Sequence, residues 1–185
     1  MNFSGRLQFR RLMCLLVRQN FASECENAIN KQIHLELKSS YDYLAMAYHF
    51  DRSDVALPGL YGFFKSASSE EREHATQLMT YMNKRGGTIC LEELPAPQFK
   101  FTTAKAALMK ALDIEKAVNE SLLALHALAN EHSDPHLSDF LETNFLIEQV
   151  DAQKQLADYI TQIERCEKEL GLHIFDKDIT GKEIH

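Results

Sequence analysis

Two side chains constrain this fold more than anything else in the sequence: Glu71 and His74, which occupy slots where a helix should be apolar. Residues three or four apart share a helix face. That spacing gives Leu60, Phe64 and Ala67 before the pair and Leu78 after it. The pair lies inside Glu70-Glu71-Arg72-Glu73-His74. A lone carboxylate on a buried stripe is costly unless its charge is compensated, and a cation would compensate it. Such a chain must bring further ligands to the same place from facing helices.

Periodicity supplies the helices. The first runs from Ser23, read as its cap ahead of Glu24 and Glu26, to about Phe50, with the stripe Ile29, Ile33, Glu36, Ser40, Tyr43/Leu44, Ala47. A second starts near Pro58, which a first turn tolerates, runs to Arg85 and stops at Gly86-Gly87. The short link 51–57 makes these two antiparallel neighbours. The segment 87–101, with Pro95 and Pro97, has no periodicity and is unusually long. A helix over 58–85 measures about 42 Å, and the connection can extend about 50 Å. It can therefore cross the whole bundle and start the third helix parallel to the second.

The third helix begins at Thr102 or Thr103 and shows Ala107/Leu108, Ala111, Glu115, Val118, Leu122, Leu125 and Ala129. Asp134-Pro135 opens the fourth, with the stripe Glu142, Phe145, Gln149, Ala152, Leu156, Tyr159/Ile160, Ile163. A short amphipathic piece with Leu170, Ile174 and Phe175 ends the pattern and is too short to stand alone. The fold class is all-α: a four-helix bundle with one long crossover and a short fifth C-terminal helix. Seven Gly, four Pro and no Trp in 185 residues suit long helices.

Each long stripe carries a polar interruption near its middle: Glu36, Glu71 with His74, Glu115, and Gln149. Glu36 precedes Glu71 by nearly the same distance as Glu115 precedes Gln149, so the chain reads as two matching helix pairs. One Glu from each of two helices and Glu-x-x-His from the other two is the ligand arrangement of di-iron carboxylate bundles. The second half departs from it, with Gln149-x-x-Ala152 in the corresponding slots. One metal position has Glu36, Glu71 and His74 with Glu115 near or bridging; the other has Glu115, Gln149 and either Glu70 or Glu71. Carboxylate and imidazole suit Fe(II), and a neutral, imidazole-free position holds metal loosely. Tyr43, two turns after Glu36, is placed to bond a ligand or donate an electron. Any one interruption is ordinarily a satisfied polar core residue; their matching depths carry the metal reading.

With these residues in view, the sequence resembles a eukaryotic ferritin subunit of the heavy, ferroxidase-bearing type. The resemblance covers about 17–181 and rests on Val17-Arg18-Gln19-Asn20-Phe21, His34-Leu35-Glu36-Leu37, Phe50-Asp51-Arg52, Ser69 to Ala75, Arg85-Gly86-Gly87, Asp134-Pro135-His136-Leu137 and Phe175-Asp176-Lys177. It implies a ferritin-like di-iron domain over 17–185 and a shell of twenty-four subunits, alone or with other ferritin chains, around a ferric oxyhydroxide store. Glu36, Glu71, His74, Glu115 and Gln149 match the family's iron ligands, and Tyr43 its site tyrosine. Glu70 and Glu73 match its cavity-facing acids, although Thr76 stands where another acid is common. Asp139 and Glu142 match its threefold-pore acids, with His126 beside them; three such pairs around an axis would focus field on an entering cation. Leu170 and Ile174 would line the fourfold axis. The expected activity is oxidation of Fe(II) by O2, with Tyr43, Glu71 and His74 in the chemistry. The alternative is a non-catalytic structural subunit co-assembling with active chains.

Other classes fit poorly. A net charge of −7 speaks against nucleic acid. No apolar run approaches the ~18 residues of a membrane span. Cys14, Cys25, Cys90 and Cys166 lack zinc-site spacing and read as reduced thiols. A di-iron oxygenase would want the second Glu-x-x-His. Residues 1–16 form a basic extension with Arg6, Arg10 and Arg11 and no acid, read as a disordered tail or a leader. The expected location is cytoplasmic, with a mitochondrial alternative drawn from that extension.

Overall fold

The computed structural model describes residues 16–97, 103–166 and 169–179. Expectations for residues 1–15, and for the part of the long connection at 98–102, lie outside the described residues. Four long antiparallel or parallel helical segments and a short terminal one are present: α1 (Ser23–Phe50), α2 (Pro58–Lys84), α3 (Ala104–Glu131), then α4 (Pro135–Leu141), a π-helical turn (Glu142–Leu146) and α5 (Ile147–Glu164), and finally α6 (Glu169–Ile179). The fourth helix of the sequence reading is thus interrupted, which periodicity alone did not disclose.

The ends of these helices have local causes. Thr103 accepts a hydrogen bond from Ala106 N at 3.1 Å, and Asp134 accepts one from Leu137 N at 3.1 Å, each satisfying an open first-turn donor. Pro135 follows Asp134 and Pro58 opens α2, where a missing N–H costs nothing. Gly86 leaves α2 at φ 73°, a left-handed conformation that favours glycine. Ser23 is not a cap: Ala22 holds that position, and the Ser23 hydroxyl bonds Glu24 instead.

Contacts between helices fix their directions. Ser40 of α1 meets Ser68 of α2, its Oγ donating to the Ser68 carbonyl at 2.7 Å while Ser68 Oγ donates to the Ser40 carbonyl at 2.8 Å. Tyr43 reaches Ala111 and Glu115 of α3, whereas Cys25 lies near Leu128, so α3 runs antiparallel to α1 and parallel to α2. The long connection is therefore a crossover along the bundle. Ile29, Ile33, Met46, Phe64, Leu78, Leu108, Leu122 and Phe145 fill the axis between the helices.

The short α6 docks on its own bundle. Phe175 and Ile179 are buried, and the Asp176 carboxylate accepts from Gly59 N at 3.0 Å and Leu60 N at 2.8 Å, capping α2 from the far end of the sequence. A Cβ at Gly59 would lie 1.7 Å from the Asp176 carbonyl oxygen, so glycine is required for this close approach. A piece too short to stand alone is thus seated by its own bundle. Leu170 and Ile174 remain exposed on its outer side.

Candidate metal centre

Midway along the bundle, α1 and α2 bring three ionisable side chains together. Glu36, Glu71 and His74 each place one ligand atom within 4.8 Å of the others, and all three are buried. The i, i+3 spacing on α2 sets His74 Nδ1 3.9 Å from Glu71 Oε2. His74 Nε2 meets Glu148 Oε2 at 3.2 Å. That bond to the outward nitrogen directs Nδ1 inward, as partners of metal-binding imidazoles do. Phe145 packs against the His74 ring at 5.4 Å.

Across the bundle, Glu115 is held from two sides. The Tyr43 phenol donates to its Oε1, and Gln149 Nε2 donates to its Oε2 at 3.1 Å. Tyr43 is fully enclosed, stacked on Phe64 at 6.1 Å. Burial, then the charge of Glu115, push its phenol well above the usual range, so Tyr43 stays protonated as a donor.

Acid is in excess here. Burial, reinforced by Glu71, holds Glu36 well above the carboxylate range. Burial likewise pushes Glu71 to about 8, with repulsion from Glu115, Glu70 and Glu148 adding to it and the neighbouring Glu36 carboxyl opposing. Glu115 is also raised by burial, its bonds to Tyr43 and Gln149 opposing. For His74, burial disfavours the cation, but Glu148 and the nearby carboxylates outweigh it and raise the pKa. The bond to His74 lowers Glu148.

The donor atoms themselves show what the site lacks. Glu36 Oε2, Glu71 Oε2, His74 Nδ1 and Gln149 Oε1 are buried with no hydrogen-bond partner, and Gln32 Oε1 is the fifth such atom among the described residues. Buried polar atoms are normally paired, and an exception calls for an unseen partner. A carboxylate–imidazole set of lone pairs facing inward suits a divalent transition metal such as Fe(II).

The remaining candidates are dispersed. Glu70 is half-buried and accepts from Ser66 at 3.3 Å, with burial raising its pKa; Glu73 is exposed. Both stand outside the three-residue cluster. Near the start of the fourth helix, His126 Nε2 and Glu142 Oε1 meet at 2.6 Å, and Asp139 is exposed close by in sequence. Glu142 does not continue the core stripe, as periodicity implied. Leu141 does, because the π turn begins there.

Two partners escaped the sequence reading. Gln32 sits one turn before Glu36, and its Nε2 donates to Glu36 Oε1 at 2.7 Å. Its spacing of four from Glu36 was the available signal. Glu148 neighbours Gln149 in sequence, and no periodicity would put both at one site. The π turn had a signal as well. Leu137, Leu141, Phe145 and Gln149 are buried at an unbroken spacing of four, and each such step overshoots an α-helical turn by about 40°. A wider turn absorbs the drift and keeps Phe145 and Gln149 facing in.

Residues 26–166 match the Ferritin-like domain family. The chain is 53% identical over 164 residues to "Ferritin heavy chain" of Echinococcus granulosus, covering 88% of this chain and 95% of that one. It is 52% identical over 162 residues to "Soma ferritin" of Lymnaea stagnalis, covering 87% and 93%. Similarity to "Ferritin-2 heavy chain" of Schistosoma mansoni is 51% over 161 residues, 86% and 94%. The chain belongs to the ferritin family. It is a heavy-chain-like ferritin subunit, and the bundle, crossover and fifth helix are those the periodicity predicted. No helix among the described residues is long and apolar enough to cross a membrane.

Proposed function

We propose that this iron-storage chain oxidises its iron itself, at the centre between α1, α2, α3 and the fourth helix. The observation that carries the reading is the set of unpartnered donor atoms on Glu36, Glu71 and His74 in a buried site with surplus carboxylate. Fe(II) is the substrate. Glu36, Glu71 and His74 supply three donors to one ion, while Glu115 and Gln149 supply two to its neighbour. Each Fe(II) gives up one electron, and O2 takes both electrons with two protons to leave hydrogen peroxide. Two ions held side by side make that two-electron step possible, which one alone would not.

The residues divide the remaining work. Tyr43 holds Glu115 in place through its phenol proton and closes the site against water by its stacking on Phe64. The neutral Gln149 and the apolar Ala152 leave the second position weak, which favours release of Fe(III) toward the store. Glu70 and Glu73 are the acids that would receive it. We assign entry to His126, Asp139 and Glu142, repeated around the threefold axes of a twenty-four-subunit shell that admits other ferritin chains as partners. The cytosol is the assigned compartment, with the mitochondrion as alternative; N-terminal sequencing of the mature chain distinguishes them.

The test is aerobic addition of Fe(II) to the purified shell, followed by ferric absorbance. Glu36→Ala/His74→Ala is expected to fall to the rate of iron oxidation without protein. A double variant as fast as the wild type would sink the assignment. Size-exclusion chromatography tests the shell separately, since a stable monomer would contradict it.

A further inference from the structure

Gln32 is fully buried beside the metal centre yet is not one of the residues matched to it. Its position on α1, one turn before Glu36, lays the amide alongside the carboxylate, and Nε2 donates to Glu36 Oε1 at 2.7 Å. A metal-bound Glu36 is ionised and its Oε1 can only accept, so the amide turns its N–H end, and not its carbonyl, toward it. The Gln32 carbonyl oxygen is then left buried without a partner. An apolar side chain would fill the same space without that cost. The amide therefore does something that packing does not require.

The consequence falls on Glu36. With Oε1 tied back along α1, Oε2 is the free oxygen, and it is one of the unpartnered atoms at the centre. The same device recurs across the bundle, where Gln149 Nε2 ties Glu115 Oε2 at 3.1 Å and leaves its own carbonyl oxygen unpartnered. Each half of the site thus has one carboxylate steadied by one amide. They differ in position: Gln149 acts across helices, while Gln32 acts along a single helix from outside the three-residue cluster.

We propose that Gln32 is a positioning residue for the tighter metal position: it fixes the Glu36 carboxylate so that a single oxygen is presented to the ion held with Glu71 and His74. The inference rests on the site assigned above. Hydrogen-bond partners of metal ligands typically govern affinity by about 10–100-fold, and Gln32 belongs in that range because its bond is short, buried and shielded from water.

The experiment uses the full-length metal-free shell titrated anaerobically with Co(II) alone, read by calorimetry and by the visible ligand-field bands. Gln32→Met keeps length and removes the donor; Gln32→Asn keeps the amide but withdraws it by one methylene. Both are expected to weaken the first Co(II) equivalent per subunit by roughly 10–100-fold and to change its band intensity, leaving the second equivalent unchanged. KM for Fe(II) should rise with kcat less affected. Co(II) affinity within twofold of wild type in either assembled variant overturns the role, as does equal weakening of both equivalents, which would mark general loosening. His74→Ala separates the two readings. If it leaves the first equivalent intact, the site itself is wrongly assigned; if it abolishes that equivalent while the Gln32 variants do not weaken it, only the role of Gln32 fails.

Discussion

Two groups of buried charge lie along α2, one at its middle and one at its C-cap about three turns further on, and they are built on opposite terms. At its C-terminal end Arg85 bonds Asp134 through both terminal nitrogens, at 3.1 and 2.7 Å, and donates to the Asn20 carbonyl at 2.7 Å and to the Tyr81 hydroxyl. The guanidinium also lies over the Phe21 ring at 4.8 Å and the Tyr81 ring at 5.5 Å. One positive charge meets one negative, and no buried side-chain atom of Arg85 or Asp134 lacks a partner. Midway along the same helix, Glu71 and His74 join Glu36 and Glu115 with more acid than base and several atoms unpaired. The first cluster finishes the fold, tying the N-terminal segment, the end of α2 and the cap of α4 together. The second leaves the fold electrostatically incomplete, and that incompleteness is what a cation would use.

The contrast predicts opposite signs on mutation. The largest effect belongs to the closed cluster. Asp134→Ala leaves Arg85, whose side chain is only 12% exposed, without its counter-charge, and removes the α4 cap. Loss of one partner of a buried pair costs about 3–5 kcal/mol, to be measured by chemical denaturation of the metal-free protein. A change below ~1 kcal/mol would erase the distinction from a surface pair.

Smaller and reversed is the effect at the open cluster. Glu71→Gln removes an ionisable group that folding forces to keep a proton, and is expected to raise metal-free stability by about 1–3 kcal/mol at pH 7. Zn(II) should then stabilise the wild type and not the variant, by thermal unfolding with and without the ion. Destabilisation by Glu71→Gln in the metal-free protein would mean the cluster is already satisfied.

The smallest predicted effect is a fraction of a proton. Glu71 lies at about 8 in the folded chain against an ordinary value of 4.5. Between those limits the folded state holds a proton that the unfolded state has lost, so metal-free stability falls as pH rises through the window. An ion must expel that proton, so its affinity rises over the same range. Calorimetry in two buffers of different ionisation enthalpy should show proton release on ion binding, of which up to about one per ion is lost in Glu71→Gln. Pure pH independence between 5 and 8 would contradict the shift.

Legibility in the sequence followed the range of the interaction. Glu36, Glu71, His74, Glu115 and Gln149 could be found because each breaks an apolar stripe, and a polar break is visible wherever the period is regular. Gln32 also breaks that face, but it lies beside the Ile29–Ile33–Glu36 line, and its purpose shows only once its amide is seen against the carboxylate. Glu148 was hidden by a change of backbone, since the π turn alters the phase on which residues of the fourth helix face the core. The fifth helix was legible as amphipathic, yet Asp176 reaching Gly59 and Leu60 depends on two segments that lie far apart in sequence.

The sequence by itself determined the long helices, their ends at Pro58, Gly86, Thr102 or Thr103, and Asp134, the crossover, and the central row of polar breaks, because these depend on periods and caps that act within a few residues. Only the tertiary structure decided which oxygen of Glu36 is free, which nitrogen of His74 faces inward, and which buried charges are paired. Those outcomes arise from side chains of different helices competing for the same hydrogen bonds in a space without water. Glu71 and His74 began as a flaw in an apolar stripe. Packing left them among more acid than the chain neutralises, open to a metal ion.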